Sequence, residues 1–166
     1  MKLVIAFIGR LAYIIGGPIA FPLFMSGSKR SRLWIMYEGK VLLVQSVISL
    51  QRWNMPGGGI EKGEAAVAAA VREVSEELGI EISTDTCTQL FEEDYKGYFS
   101  TCHQTYFMAR LAKKPTITTH PLEILDYRWF SLDELHDAGI NLHPNVKTVM
   151  KHKSYTQTQI AHKAAG

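Results

Sequence analysis

The sequence predicts an α/β fold in which helices sandwich a mixed β-sheet, preceded by an apolar N-terminal arm. Three observations predict it. Short β-rich runs are interleaved with helical patterns between residues 33 and 153. One of those patterns, over residues 65–78, carries an apolar stripe at Val67, Val71, Val74 and Leu78, spaced as one face of a helix. The chain has 166 residues, 46% apolar and 20% charged, which suits one domain with a core and an appendage.

The elements follow in order. Between Leu3 and Met25 the only charge is Arg10, and Gly9, Gly16, Gly17, Pro18 and Pro22 interrupt the run. The length reaches the about 20 residues a spanning helix needs, but each proline removes a backbone donor. A secretory signal fits poorly because Arg10 breaks the apolar region. Three readings stay open: a kinked membrane span, a segment lying in the membrane interface, or an arm packed on the domain.

Residues 26–32 (SGSKRSR) read as a linker, so the expected layout is arm and linker at 1–32, a domain at 33–153 and a polar tail at 154–166. Residues 1–37 carry a charge of +5 with no acid, and the remainder carries −3. A basic apolar segment on an acidic body suggests contact with an anionic membrane through residues 1–32. Lys29, Arg30 and Arg32 would then hold the domain on the cytoplasmic side. The basic residues are not interleaved with aromatics across the domain, so no specific nucleic-acid surface is expected. Cys87 and Cys102 have no metal-ligand spacing and read as reduced thiols.

Within the domain, residues 33–37 and 41–45 predict two strands joined by a turn at Glu38-Gly39-Lys40. Residues 53–55 predict a short third strand, closed by Pro56 and three glycines. The helix over 65–78 follows, ended by Gly79. Further strands are expected at 89–94, 102–111 and 128–130. Ser131 and Glu134 have capping-box spacing and open a helix over 131–138. A last helix is expected over 145–153.

The helix over 65–78 breaks local rules. Glu73, Glu76 and Glu77 converge on one arc, Glu73 and Glu77 repel at i,i+4, and two of the three sit where the helix dipole is already negative. Arg72 is the one cation nearby in sequence. Solvated acidic faces ordinarily mix signs, so uncompensated repulsion points to a divalent cation held by carboxylate oxygens. The run Pro56-Gly57-Gly58-Gly59 allows close approach of backbone to a ligand, and a glycine turn leading into a helix N-terminus suits phosphate.

Residues 58–80 read GGIEKGEAAVAAAVREVSEELGI. This segment resembles the Nudix box, with Gly58, Glu64, Arg72, Glu73, Val74, Glu76, Glu77, Gly79 and Ile80 at every fixed position. Trp53 to Gly58 and the stretch around Trp129 also look like that family. The likeness covers about residues 33–150 and leaves the arm outside.

The resemblance implies a Nudix α/β/α sandwich and Mg²⁺-dependent hydrolysis, with Mn²⁺ as an alternative cofactor. The bond cleaved is the diphosphate linkage of a nucleoside diphosphate joined to another moiety, by metal-assisted attack of water on phosphorus. Glu73, Glu76 and Glu77 match the metal ligands, with the Gly57 carbonyl and Glu123 as further candidates. Glu64 and Arg72 match the pair that orients the carboxylates. Glu73, Glu76 or Glu123 would accept the proton. Gly57 and Gly58 would meet substrate phosphates, and Tyr98 lies where dinucleoside polyphosphate hydrolases of the family often carry a tyrosine. Tyr95 stands where ADP-ribose-cleaving members tend to have proline, which argues against that substrate. Trp53, Phe99 and Tyr106 are stacking candidates or core. Two rivals remain: a nucleotide sensor that does not cleave, and a membrane-tethered hydrolase of a lipid-linked diphosphate. The oligomeric state is left open.

Overall fold

A computed structural model describes residues 27–47, 49, 51–96, 101–137, 139–153 and 155. Residues 1–26, which hold the expected arm and the first linker residue, lie outside the described residues, as do Tyr98, Phe99 and most of the polar tail. Among the described residues no helix is long and apolar enough to cross a membrane.

The described residues form five strands and two helices: β1 (Lys29–Tyr37), β2 (Lys40–Ser46), α1 (Ala66–Leu78), β3 (Cys87–Lys96), β4 (Thr101–Arg110), β5 (Ile124–Ser131) and α2 (Pro144–Lys151). They form one mixed sheet in the order β3-β4-β1-β2-β5. The β1–β4 pair is parallel and the other pairs are antiparallel. Glu38 and Gly39 both have positive φ, as the two-residue turn between Tyr37 and Lys40 requires.

Alternation along β1 splits the core in two. Leu33 and Ile35 face α1, where they meet Ala70, Val74 and Leu78. Trp34 and Met36 face α2, where they meet Val146 and Val149. Each fully buried side chain of this kind contributes about 1.5–3 kcal/mol, so the sheet is held from both sides.

Several sequence expectations change. Residues 29–32 are not a linker. They extend β1 by four residues and pair with His103–Tyr106 of β4 in parallel register. Their polar composition hides a strand whose partner lies more than 70 positions away. Residues 53–55 form only isolated bridges, Val44 to Asn54 and Trp53 to Leu142. The capping box at Ser131 forms, with Ser131 N–H donating to Glu134 Oε2 at 2.7 Å and Glu134 N–H donating to Ser131 Oγ at 3.2 Å. The helix it opens is a single 3-10 turn over Glu134–His136. Both cysteines are free thiols.

Candidate active site

The glycine turn does not lead into the helix N-terminus. Six residues separate Gly59 from Ala66, and the chain runs back along the helix before entering it. Gly57 and Gly58 therefore lie beside the last two turns of α1. Gly57 N–H donates to Glu77 Oε2 at 3.0 Å. A Cβ on Gly58 would fall 2.3–2.4 Å from the Glu73 carboxylate. Phosphate binding by the helix dipole, expected from sequence, is thus not available at this turn. Two carboxylates press on it instead.

Arg72 organises the remaining acids. Its Nε and Nη2 donate to Glu64 Oε1 and Oε2 at 2.9 and 3.2 Å, and Nη2 also donates to the Gly59 carbonyl at 3.0 Å. Nη1 donates to Glu73 Oε1 at 3.2 Å and to Glu76 Oε2 at 3.0 Å. The guanidinium fork fixes direction as well as charge. Glu64 Oε2 in turn accepts from Glu61 N–H at 2.9 Å, tying the loop to the helix. These bonds hold the Glu64 carboxyl below its ordinary range, with the Arg72 bond the largest cause.

The three glutamates differ sharply. The Glu76 side chain is 59% exposed. Glu77 is 9% exposed, with its carboxylate turned in to the Gly57 N–H. Burial pushes the Glu77 carboxyl up to about 7, opposed by the Gly57 N–H and Arg32 and reinforced by Glu73 and Glu123. Burial also raises Glu73, against the pull of Arg72. Glu123 itself is exposed and lies 3.4 Å from His120 Nδ1. The segment before it caps α1: Thr118 N–H donates to the Leu78 carbonyl and His120 N–H to the Glu77 carbonyl, both at 2.9 Å.

Among the described residues no three His, Cys, Asp or Glu side chains converge closely enough to form a ready metal cage. The reason is visible in the bonds above. Arg72 Nη1 stands between Glu73 and Glu76, and Glu77 is turned in to Gly57. The donor set nevertheless fits a hard divalent ion, because it is all oxygen and burial raises two of its members, Glu73 and Glu77.

Sequence reasoning missed Arg32. Its Nη1 donates to the Gly57 carbonyl, an expected metal ligand, and to the Met55 carbonyl at 3.3 Å. The Gly57 peptide is therefore gripped at both polar ends, by Glu77 and by Arg32. The carbonyl keeps its second lone pair. Burial and neighbouring Arg30 lower Arg32 to about 10, so it stays charged at neutral pH. Arg30 and Arg32 stand two apart immediately before an apolar alternation, and that spacing was the available signal.

Trp53 and Tyr106 are packing residues. Trp53 meets Phe130 edge-on at 5.0 Å, and fully buried Tyr106 stacks on Phe91 at 4.6 Å. His143 caps α2: its Nδ1 accepts from Asn145 N–H at 3.2 Å, which requires the ring to be neutral. Burial, then Arg32 and Arg52, hold its pKa down to about 4. Between pH 4 and 6.5 the unfolded chain binds more protons than the folded one, so stability should fall on acidification through that window by about 2–3 kcal/mol. Urea unfolding at pH 7 and pH 4.5 tests this. His143→Asn, which keeps a capping acceptor, should lose less stability than the parent chain; equal losses would remove the role given to His143.

Comparison with known proteins identifies the family. The family model for the NUDIX domain matches residues 28–152. The RNA pyrophosphohydrolase of Pelagibacter ubique is 30% identical over 132 residues, covering 70% of this chain and 83% of that protein. The RNA pyrophosphohydrolase of Sphingopyxis alaskensis is 30% identical over 115 residues, covering 59% and 73%. A MutT NUDIX hydrolase structure from Burkholderia pseudomallei superposes with a TM-score of 0.66 at 22% identity, covering 77% of this chain and 98% of that one. A bifunctional NMN adenylyltransferase/ADP ribose pyrophosphatase from Francisella tularensis, complexed with AMP and a Mn ion, gives 0.63 at 19% identity, covering 83% and 45%. The structural likenesses carry the fold alone; with the domain match and the curated relatives, they show that this chain belongs to the Nudix family of hydrolases and is a pyrophosphohydrolase acting on phosphoanhydride bonds.

Proposed function

We propose that this chain is a Mg²⁺-dependent hydrolase that cleaves the diphosphate linkage of a nucleoside diphosphate joined to another moiety. One observation carries the reading. Glu73 and Glu77, two carboxylates in a desolvated setting, are pressed against consecutive glycines of one turn. Glu73, Glu76, Glu77 and Glu123 are the residues that would hold the cation, Mg²⁺ or Mn²⁺. A bound divalent ion would neutralise diphosphate charge and polarise a phosphoryl oxygen.

The chain's own residues do the rest. Arg72 and Glu64 fix the direction of Glu73 and Glu76. Arg32 and Glu77 fix the Gly57 peptide, and Gly58 leaves room for Glu73. Glu76 is the carboxylate with the solvent access a proton acceptor needs, and Arg72 aims it. Glu123 is the alternative acceptor from outside the helix.

The relatives' names favour a second reading of the substrate, a polyphosphate at the 5′ end of RNA. Such an end could be gripped through its phosphates alone, without an extended basic surface. A panel in Mg²⁺ separates the cases: nucleoside triphosphates, dinucleoside polyphosphates, ADP-ribose, a 5′-triphosphate oligoribonucleotide and isopentenyl diphosphate. Glu76→Gln should lower kcat by about 100-fold or more on whichever substrate is cleaved, with thermal stability unchanged. Full activity in Glu76→Gln with loss in Glu123→Gln would move the proton acceptor off the helix. No turnover of any panel member by the parent chain would reject the proposal.

A further inference from the structure

The N-terminal end of β1 has a neighbour on each side. On one side Lys29–Arg32 pair in parallel with His103–Tyr106 of β4. On the other side they pair with the glycine turn itself. Leu33 N–H donates to the Pro56 carbonyl at 3.1 Å, Ser31 N–H to the Gly58 carbonyl at 2.9 Å and Ile60 N–H to the Lys29 carbonyl at 2.9 Å. Arg30 and Gly59 form an antiparallel bridge within this ladder. The four residues that read as a linker are therefore the rail on which the turn is mounted.

That register sets Ser31 opposite Gly58. Side chains alternate between the two faces of a strand. Leu33 and Ile35 face α1, so Ser31 faces α1 as well. Directly opposite residues of an antiparallel pair have Cβ positions about 4.5–5.5 Å apart. From the Cβ position of Gly58, both oxygens and the carboxyl carbon of Glu73 lie 2.3–2.4 Å away. Ser31 thus approaches from the strand the same carboxylate that Arg72 approaches from the helix.

Ser31 is fully buried, and its Oγ has no hydrogen-bond partner among the described residues. A buried hydroxyl without a partner is uncommon, because its desolvation is not offset. Alanine would fill the same position without that cost. Glu73 is the acceptor the register brings near. Its Oε1 accepts from Arg72 Nη1 at 3.2 Å, which leaves Oε2 for a second donor. A carboxylate has about four lone-pair positions, so Oε2 can accept from a hydroxyl and still face a cation.

We propose that the Ser31 hydroxyl donates to Glu73 Oε2 when the site holds its divalent cation, fixing the carboxylate that Arg72 holds by its other oxygen. The inference rests on the cation reading above and adds a residue of β1 to the site. Ser31 is a positioning residue: it acts on the cation through Glu73.

Calorimetric titration of the full chain with Mn²⁺, beside thermal unfolding in EDTA, tests it. Ser31→Ala removes the hydroxyl, and Ser31→Cys keeps similar bulk with only a weak donor. Both should bind Mn²⁺ about tenfold or more weakly than the parent chain. In EDTA, Ser31→Ala should unfold at or above the parent temperature, because it loses a buried group that bonds nothing. Parent-like Mn²⁺ affinity in Ser31→Ala would overturn the proposal. So would weak binding in Ser31→Ala that Ser31→Cys restores, which would assign the effect to bulk. An unfolding temperature well below the parent's for Ser31→Ala in EDTA would make Ser31 a residue of the fold and overturn it too. A parent chain that binds no Mn²⁺ would reject the cation reading and this proposal with it, whereas a binding parent with unaltered variants would reject this proposal alone.

Discussion

Alanine at Gly57 is expected to cost about 2–4 kcal/mol of stability and to abolish turnover, whereas alanine two positions later should do neither. Gly57 has φ +125, which L side chains rarely adopt, and its Cβ would fall 2.3 Å from the Ser31 carbonyl oxygen and 3.0 Å from the Arg32 Cα. Both obstacles are backbone of β1, a strand paired along its length, so they cannot yield cheaply. The same change displaces the peptide that Glu77 and Arg32 grip. Gly59→Ala is the control, because nothing lies within 4 Å of the added Cβ.

Gly58→Ala separates stability from activity. The three atoms nearest its Cβ all belong to the Glu73 carboxylate, the far end of a flexible side chain. The fold should survive with thermal unfolding within a few degrees, while displacement of Glu73 should lower kcat by about 100-fold. Thermal unfolding and steady-state kinetics on the three variants read both quantities. A Gly57→Ala chain as stable as the parent, or a fully active Gly58→Ala chain, would contradict the geometry assigned to the turn.

The second large effect has opposite signs in stability and in function. Glu77→Gln should lower turnover by about 100-fold or more, yet stabilise the protein in metal-free buffer at pH 8. The folded chain holds the Glu77 carboxyl up to about 7, against an ordinary value of 4.5. A carboxyl raised in this way favours folding below pH 4.5, and that advantage is lost as pH rises through 7. Above pH 7 the buried charge costs about 3 kcal/mol. Glutamine still accepts from the Gly57 N–H and carries no charge, so the variant should unfold at higher temperature with EDTA at pH 8. The gap should close toward pH 4.5. Equal stability of the two proteins at both pH values would mean that Glu77 is not an uncompensated buried charge. Such a trade, in which a local rule is broken at a cost in stability, is expected where a site must be charged to work.

What could be read from the sequence was what local patterns record. The apolar stripe of α1, its end at Gly79 in the left-handed region and the clash of Glu73, Glu76 and Glu77 all follow from spacing three and four. The hairpin at Glu38 and Gly39 follows from turn chemistry. Long-range placement was not legible. Helical spacing sets Glu77 nearer the apolar stripe than Glu73 or Glu76, but its bond to Gly57 depends on where the glycine turn comes to rest. The turn was assigned to the helix N-terminus by its position in sequence, and the path of residues 60–65 carries it to the other end. Residues 29–32 looked like a linker because their partner strand, β4, begins only at Thr101. Arg32 went unrecognised for the same reason: its value lies in contacts with Gly57 and Met55.

These helix carboxylates are proposed to hold a divalent cation at the glycine turn. Titration of Mn²⁺ followed by electron paramagnetic resonance counts the free ion directly, without any substrate. Saturable binding by the full chain, competed by Mg²⁺, is expected, with binding at least tenfold weaker in Glu73→Gln and in Glu77→Gln and folding retained. Mn²⁺ binding of unchanged strength in both variants would contradict it.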